Sequence, residues 1–504
     1  MSDSRVAPES GLRPESETAT NKMPPYRWTV MVYFASDDVD QYYVANLTKL
    51  KKAGSSDDIT LLAQVDPTGT KQCTRYWLAK NTKVEEDVVN RFANNSAGSP
   101  DALVEFVRWG VCAAPADHYM VILWGHGDGW QNEDNAGRAA GRTITTGLDA
   151  AKISDMFQIT VGADTGVDRL IRQLASVRGS ESVPGSAPDV LDGQGLKKAF
   201  SKLRAEINKK IDIVGIDSCL MAMVEVAYQI RDSVDYLVAS EDVTPTGSWP
   251  FDSIFCELVS HPEMTPDQLG QTVVRQYLIT YLEQTRFVTE SVCSLDRCEG
   301  LAWAVHTLAQ KLIAALSNPT QRTAIMAARA MVQDYYIRDY VDLYNFCEIL
   351  GNLLKSQNLD LVVACQKVKM VIGESNQDGV SGNGFIRAHG FYGYPLKDSH
   401  GASIYFPCSR FSRQYNRLDF ATETAWGSFA ETYVQLTDPN QPASQPAPEG
   451  GTAPGGILGG QLGDGQLGPG DPVVIPPDPL GEGHPKRTCL DTPNAEHGSQ
   501  SEAA

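Results

Sequence analysis

Basic residues are in short supply: 43 Lys and Arg stand against 62 Asp and Glu over 504 residues, a formal net charge of −19. Lacking a basic surface that would release counterions, the chain is not expected to take a nucleic acid as its main partner. It also lacks any stretch near the roughly 18 to 20 uninterrupted apolar residues of a membrane-spanning helix, so no membrane partner is expected. The first 25 residues have no apolar core of a secretory leader, and a cytoplasmic location is the expectation. Cysteine is sparse as well, with ten residues in all. Only Cys293 and Cys298 lie close together, at a spacing that fits no common metal motif, and reduced thiols are expected. Internal repeats and phosphate-binding glycine motifs are missing.

What is present is the balance of a globular protein, with 42% hydrophobic and 21% charged residues. The composition changes at both ends. Residues 438–504 hold 12 Pro, 13 Gly and 9 acids against 2 bases. Such a segment cannot bury enough apolar surface to offset its ordering entropy, and disorder is expected there and over residues 1–25. The remaining body keeps a net charge of about −11 by the same count.

Within that body, Trp28 to Ser36, Ile59 to Asp66, His118 to Gly127 and Ile211 to Cys219 each hold a short, nearly continuous apolar run. Strands buried on both faces of a parallel sheet read this way. Amphipathic segments such as "DALVEFVRWGV" after Pro100 alternate with them, which predicts an α/β fold with a wound, mainly parallel sheet. "YLVAS" predicts a fifth strand, Phe255 to Cys365 a mostly helical region, and "GASIYFP" a late strand. The expected organisation is a core over residues 26–254, a helical and strand extension over 255–437, and a long polar loop from Gln131 to Val190.

Two strands end in groups with chemistry, at the carboxyl ends where open α/β sheets gather their sites. One runs into Gly125, His126, Gly127 and Asp128, the other into Asp217, Ser218 and Cys219. A thiol needs an imidazole or another positive environment to act as a nucleophile near neutral pH. His126 would hold the proton and return it to a leaving group. The Gly127 and Cys219 N–H groups would stabilise a developing oxyanion. An inert core thiol beside a turn histidine accounts for the same residues without catalysis.

The blocks "WTVMVYFASDDVD", "DITLLAQVD", "ADHYMVILWGHGDGW", "DIVGIDSCLMAMVEVAYQIRDSVDYLVASEDVTPTGSWPFDSI", "DLYNFCEIL" and "GASIYFP" resemble the clostripain-like cysteine peptidases over most of Tyr26 to Leu436. The resemblance implies a caspase-like fold and an endopeptidase with His126 and Cys219 as a catalytic dyad. Members commonly cleave after basic residues and process themselves between the His and Cys blocks. Here that interval offers Arg138, Arg142, Arg169, Arg172 and Arg178. Protein or peptide substrates are the partners implied.

Asp217 matches the acidic position of the family's primary specificity pocket, where a carboxylate would receive an Arg or Lys side chain. It would equally serve as an acceptor of backbone N–H groups at the following helix. Basic-specific members often carry a second acid in a turn like "PGDGWP". This chain reads "TPTGSWP" and has Gly247 there. Glu241 and Asp242 could compensate, or be surface acids. Trp249 could line the substrate groove, or simply pack. No cofactor is expected. Some members depend on calcium, and Asp37, Asp38 and Asp40 offer oxygen donors, but their spacing follows no ligand motif. A catalytically inactive peptide-binding protein or interaction scaffold is the alternative to an enzyme.

Overall fold

Every residue of Ile59–Val65 and of Ile211–Asp217 is buried, which a strand allows only inside a sheet covered on both faces. The computed structural model describes residues 26–34, 40–65, 72–93, 99–130, 192–245, 247–284, 286–373 and 383–437. The expected loop at Gln131 to Val190 and both terminal segments lie outside these residues. The strands are β1 (Tyr26–Phe34), β2 (Ile59–Val65), β3 (Gln72–Trp77), β4 (Val88–Ala93), β5 (Ala116–Trp124), β6 (Ile211–Asp217), β7 (Val234–Ala239), β8 (Val288–Ser294), β9 (Tyr340–Asp342), β10 (Ile386–Tyr392) and β11 (Ser403–Tyr405).

Nine of them form one sheet in the order β10-β8-β7-β6-β5-β1-β2-β3-β4, and β11 pairs with β9 apart from it. The five central strands, β2 to β7 in spatial sequence, are mutually parallel. Antiparallel strands finish both edges. Because β1 has β2 on one side and β5 on the other, the winding reverses between β1 and β5, and the crevice beyond the carboxyl ends opens beside the end of β5. This is the wound α/β, mainly parallel, caspase-like sheet expected from the sequence.

Helices cover both faces. On one side pack α1 (Asp40–Ala53), α5 (Phe251–Ser260) and α6 (Pro266–Glu283), through residues such as Leu47, Leu50, Phe255 and Tyr277. On the other pack α2 (Pro100–Ala113), α3 (Gly193–Ile207), α4 (Val224–Ile230) and the helices from Cys298 onward, through Phe106, Phe200, Val226 and Leu308. Each fully buried side chain of this size contributes roughly 1.5–3 kcal/mol. Local signals agree with the boundaries. Thr265 and Gln268 form a capping box with Pro266 at the first position of α6, and Asp192 caps α3 by accepting from the Gly195 N–H at 2.7 Å.

The region from Phe255 to Cys365 is mostly helical, as expected, and also contains β8 and β9. Strand β8, VTESVCS, is buried throughout yet carries Thr289, Glu290 and Ser291, so no apolar run marks it. Among the described residues no helix is long and apolar enough to cross a membrane.

The C-terminal extension is joined to the core through Glu225 of α4, whose carboxylate accepts from the Tyr405 N–H and the Tyr415 hydroxyl, each at 2.8 Å. Burial pushes this carboxyl up to about 7 against those two bonds. The folded chain therefore holds a proton that the unfolded chain gives up near pH 4.5. The sign follows from linkage: the stabilisation is complete below about pH 4.5 and is lost as pH rises through about 7, on the order of 3 kcal/mol in all. Glu225→Gln, which has no proton to lose, is expected to melt several degrees above the wild type at pH 8 and close to it at pH 5. Melting curves that stay parallel at both pH values would refute this.

Candidate active site

The register of two strands fixes the site. Trp124 of β5 and Asp217 of β6 are Cα partners at the end of their parallel ladder. His126 and Cys219 each follow two residues later, so the two chains leave the sheet side by side. Gly127 shows how close they come. A Cβ there would collide with the Cys219 carbonyl oxygen and stand 2.9 Å from Ser218 Cβ, so only glycine fits against the Cys219 loop. His126 is exposed and Cys219 half-buried.

Both loops are held from several directions. Tyr340 of β9 donates its hydroxyl to the Asp128 carbonyl at 2.6 Å, and Trp130 packs edge-on against Tyr405 and Tyr415 at 5.1 and 5.0 Å. After Cys219 the chain turns sharply through Leu220, whose φ of 65° is strained for a branched residue. The turn is fastened by Leu220 N–H to the Asp242 carbonyl at 2.9 Å and Ala222 N–H to the Ser240 carbonyl at 2.8 Å. The Thr244 N–H donates to Cys219 Sγ at 3.1 Å. A fixed donor at sulfur favours the ionised thiol. Nothing in the composition of "TPTGSWP" points to this contact, because it depends on the segment returning over β6.

Asp217 is buried and takes two hydrogen bonds from one turn: the Ser248 hydroxyl, and the Trp249 N–H at 2.9 Å. Ser248 itself has φ 62°, so this carboxylate helps to hold a strained turn. The Tyr281 hydroxyl donates to the Ser248 carbonyl at 2.7 Å and lies 2.9 Å from where a Gly247 Cβ would stand. The ammonium of Lys49, from α1, donates to the Gly247 carbonyl. Burial lowers the Lys49 pKa, with the Asp217 and Asp252 charges acting in the opposite sense.

The other sequence-selected residues lie around this turn. Trp249 is fully buried, its indole against Gly215 of β6, so its side chain packs beneath the site while its N–H serves Asp217. Glu241 and Asp242 are buried too. Glu241 accepts from the Tyr335 hydroxyl at 2.7 Å and the Gly401 N–H at 3.0 Å, and Asp242 accepts from the Tyr336 N–H at 2.9 Å. Burial and the nearby Asp342 charge push the Glu241 carboxyl up. Burial is the largest influence on Asp342 and acts to raise it, but His400 at 3.2 Å and the Asn345 N–H at 2.6 Å together hold that carboxyl down.

Nine described cysteines are free thiols. Burial pushes Cys293 up to about 12 and raises Cys298 and Cys347 strongly, which keeps them protonated and unreactive. Cys112 and Cys256 are exposed. Among the described residues no group of three or more His, Cys, Asp or Glu is arranged to hold a metal ion. Asp37 and Asp38 lie outside these residues.

Comparisons with known proteins bear on this geometry. The chain matches the sequence profile of the clostripain family over residues 32–170 and 185–433. The break falls inside the segment between the two loops and removes Arg172 and Arg178 from the match. A solved structure of an inactive zymogen C11 protease from Parabacteroides distasonis is similar at 17% identity. The alignment covers 80% of this chain and 99% of that one, with a TM-score of 0.50. A secreted C11 cysteine protease from Bacteroides thetaiotaomicron, solved with an irreversible peptide inhibitor, aligns at 18% identity over 81% and 99% of the two chains, with a TM-score of 0.51. At these identities the structural likeness is one of fold. Comparison with curated proteins yields no match.

Proposed function

The chain belongs to the clostripain family and is a cysteine-type peptidase, and from that premise we propose that it is an endopeptidase working through Cys219 and His126. The observation that carries this reading is the Trp124–Asp217 register, with Gly127 pressed on Cys219, since it sets the His and Cys loops side by side. In the proposed reaction the Cys219 thiolate adds to the scissile carbonyl carbon. The resulting oxyanion is received by the Gly127 and Cys219 N–H groups. His126 protonates the departing amine, and the thioester forms. A water molecule, deprotonated by His126, then releases the acid product and restores the thiol.

Asp217 is proposed as the primary specificity carboxylate, favouring cleavage after Arg or Lys. Its burial and its place two residues before the nucleophile support this. Glu241 and Asp242 are proposed to shape this pocket from behind, by fixing β7 to the C-terminal extension, and Trp249 to do so by packing under β6. Self-processing is proposed in the interval between His126 and Cys219. A relative described as an inactive zymogen is consistent with that.

A digest of a mixed peptide library, scored by the residue before each cut, tests the reading. Several-fold enrichment of Arg and Lys is expected. Cuts spread evenly over uncharged residues would remove the basic preference, and an intact library would remove the endopeptidase proposal.

A further inference from the structure

We propose that Lys49 is a specificity-determining residue: its ammonium group shares the Asp217 pocket with the substrate and reduces selection for a basic side chain. The proposal rests on the reading of Asp217 given above and concerns how strongly that carboxylate can choose.

Helix α1 presents Lys49 and Lys52 three residues apart, hence on one face. Lys52 forms an ion pair with Asp252, in the first turn of α5, at 2.6 Å, which sets this face against the segment leading out of the specificity turn. Lys49 reaches the turn itself and donates to the Gly247 carbonyl. The next residue, Ser248, donates its hydroxyl to Asp217. A carboxylate that already has an ammonium in its field attracts a second cation less, and the two cations repel each other.

The usual remedy, a second acid in the turn, is sterically closed. Gly247 stands at that position, and the Tyr281 hydroxyl occupies the space 2.9 Å from its would-be Cβ while bonded to the Ser248 carbonyl. Tyr281 is itself buried, so it does not swing aside cheaply. The turn therefore holds the Asp217 carboxylate in the field of the Lys49 ammonium, with Lys52 and Asp252 paired to each other beside it. An arriving Arg or Lys must displace Lys49 from Gly247 or sit beside a like charge, whereas a neutral side chain meets neither cost.

The test uses the full chain and two peptides that differ only in Arg or its neutral isostere citrulline before the cut. Lys49→Met keeps the aliphatic stem and removes the charge, and is expected to raise the Arg-to-citrulline ratio of kcat/KM about tenfold. Lys49→Arg keeps the charge and is expected to leave the ratio near that of the wild type. If Lys49→Met fails to fold, as read by circular dichroism, Lys49→Gln makes the same comparison. A ratio that does not move when the charge is removed, with both peptides affected equally, would overturn the proposal and leave Lys49 as a brace for the turn. Asp217→Asn separates the two readings. If it collapses the ratio while Lys49→Met does nothing, only the Lys49 proposal fails. If it too leaves the ratio unchanged, the Asp217 reading fails with it.

Discussion

Cys219→Ala is expected to lower peptide hydrolysis by roughly 10⁴-fold or more, the scale seen when a covalent nucleophile is removed. The reason is chemical. Without sulfur no thioester forms, and no other described thiol can take its place. Cys73 and Cys365 are buried, burial raises the pKa of Cys293, Cys298, Cys347 and Cys408, and Cys112 and Cys256 lie on α2 and α5, outside the loops that follow β5 and β6. His126→Ala is expected to cost nearly as much, and the double variant little more than either, because members of one catalytic unit are not additive. The same variants report on self-processing. If the wild-type chain is cut between His126 and Cys219, the Cys219→Ala chain should stay whole on a denaturing gel and be cut only when active enzyme is added. Steady hydrolysis by Cys219→Ala would end the mechanism.

Much of this site could be read from residue order, because β5 and β6 are apolar runs that stop where their chemistry begins. Ile211–Asp217 and Ala116–Trp124 needed no partner to be recognised as strands. That the two are neighbours was a different matter, since over 80 residues separate them and one-dimensional order does not say which strands pair. Family resemblance supplied that link, and the ladder from Met120–Ile213 to Trp124–Asp217 gives it a register. Two of the antiparallel strands, β4 and β8, were invisible for a physical reason. Strand β4 is mostly exposed or half-buried, and β8 buries polar groups, with the Thr289 hydroxyl accepting from the Glu241 N–H at 2.9 Å and Ser291 donating to the Gly401 carbonyl at 2.8 Å. Apolar periodicity cannot find such strands. Lys49 was equally hidden. It is one of 43 basic residues, and its partner Gly247 lies 198 positions away. Gly247 drew notice for the acid it lacks, but the hydroxyl of Tyr281 that fills the space could not be inferred from the turn's own sequence.

Asp217→Asn is expected to reduce kcat/KM on Arg and Lys peptides by on the order of 10²-fold, as when one member of a buried charge pair is neutralised, while peptides with uncharged residues before the cut lose far less. The isosteric amide is the informative choice. Its oxygen can still accept from the Trp249 N–H, which Asp217 binds at 2.9 Å, so the strained turn at Ser248 keeps an anchor while the charge disappears. Asp217→Ala removes both. It is expected to lower cleavage of every peptide, because the segment released with Trp249 and Ser248 is continuous with Thr244, whose N–H holds Cys219 Sγ at 3.1 Å. Two variants at one position thereby separate attraction from scaffolding. Loss confined to basic peptides in the Asn variant, and general in the Ala variant, assigns Asp217 both jobs. If the Asn variant keeps its preference for Arg over citrulline, the carboxylate serves only the turn, and the basic preference must come from charges elsewhere on the −19 chain. In that event raising the salt concentration should erase the preference, since exposed charges are screened within about 10 Å at 0.1 M, whereas a buried contact at Asp217 would persist.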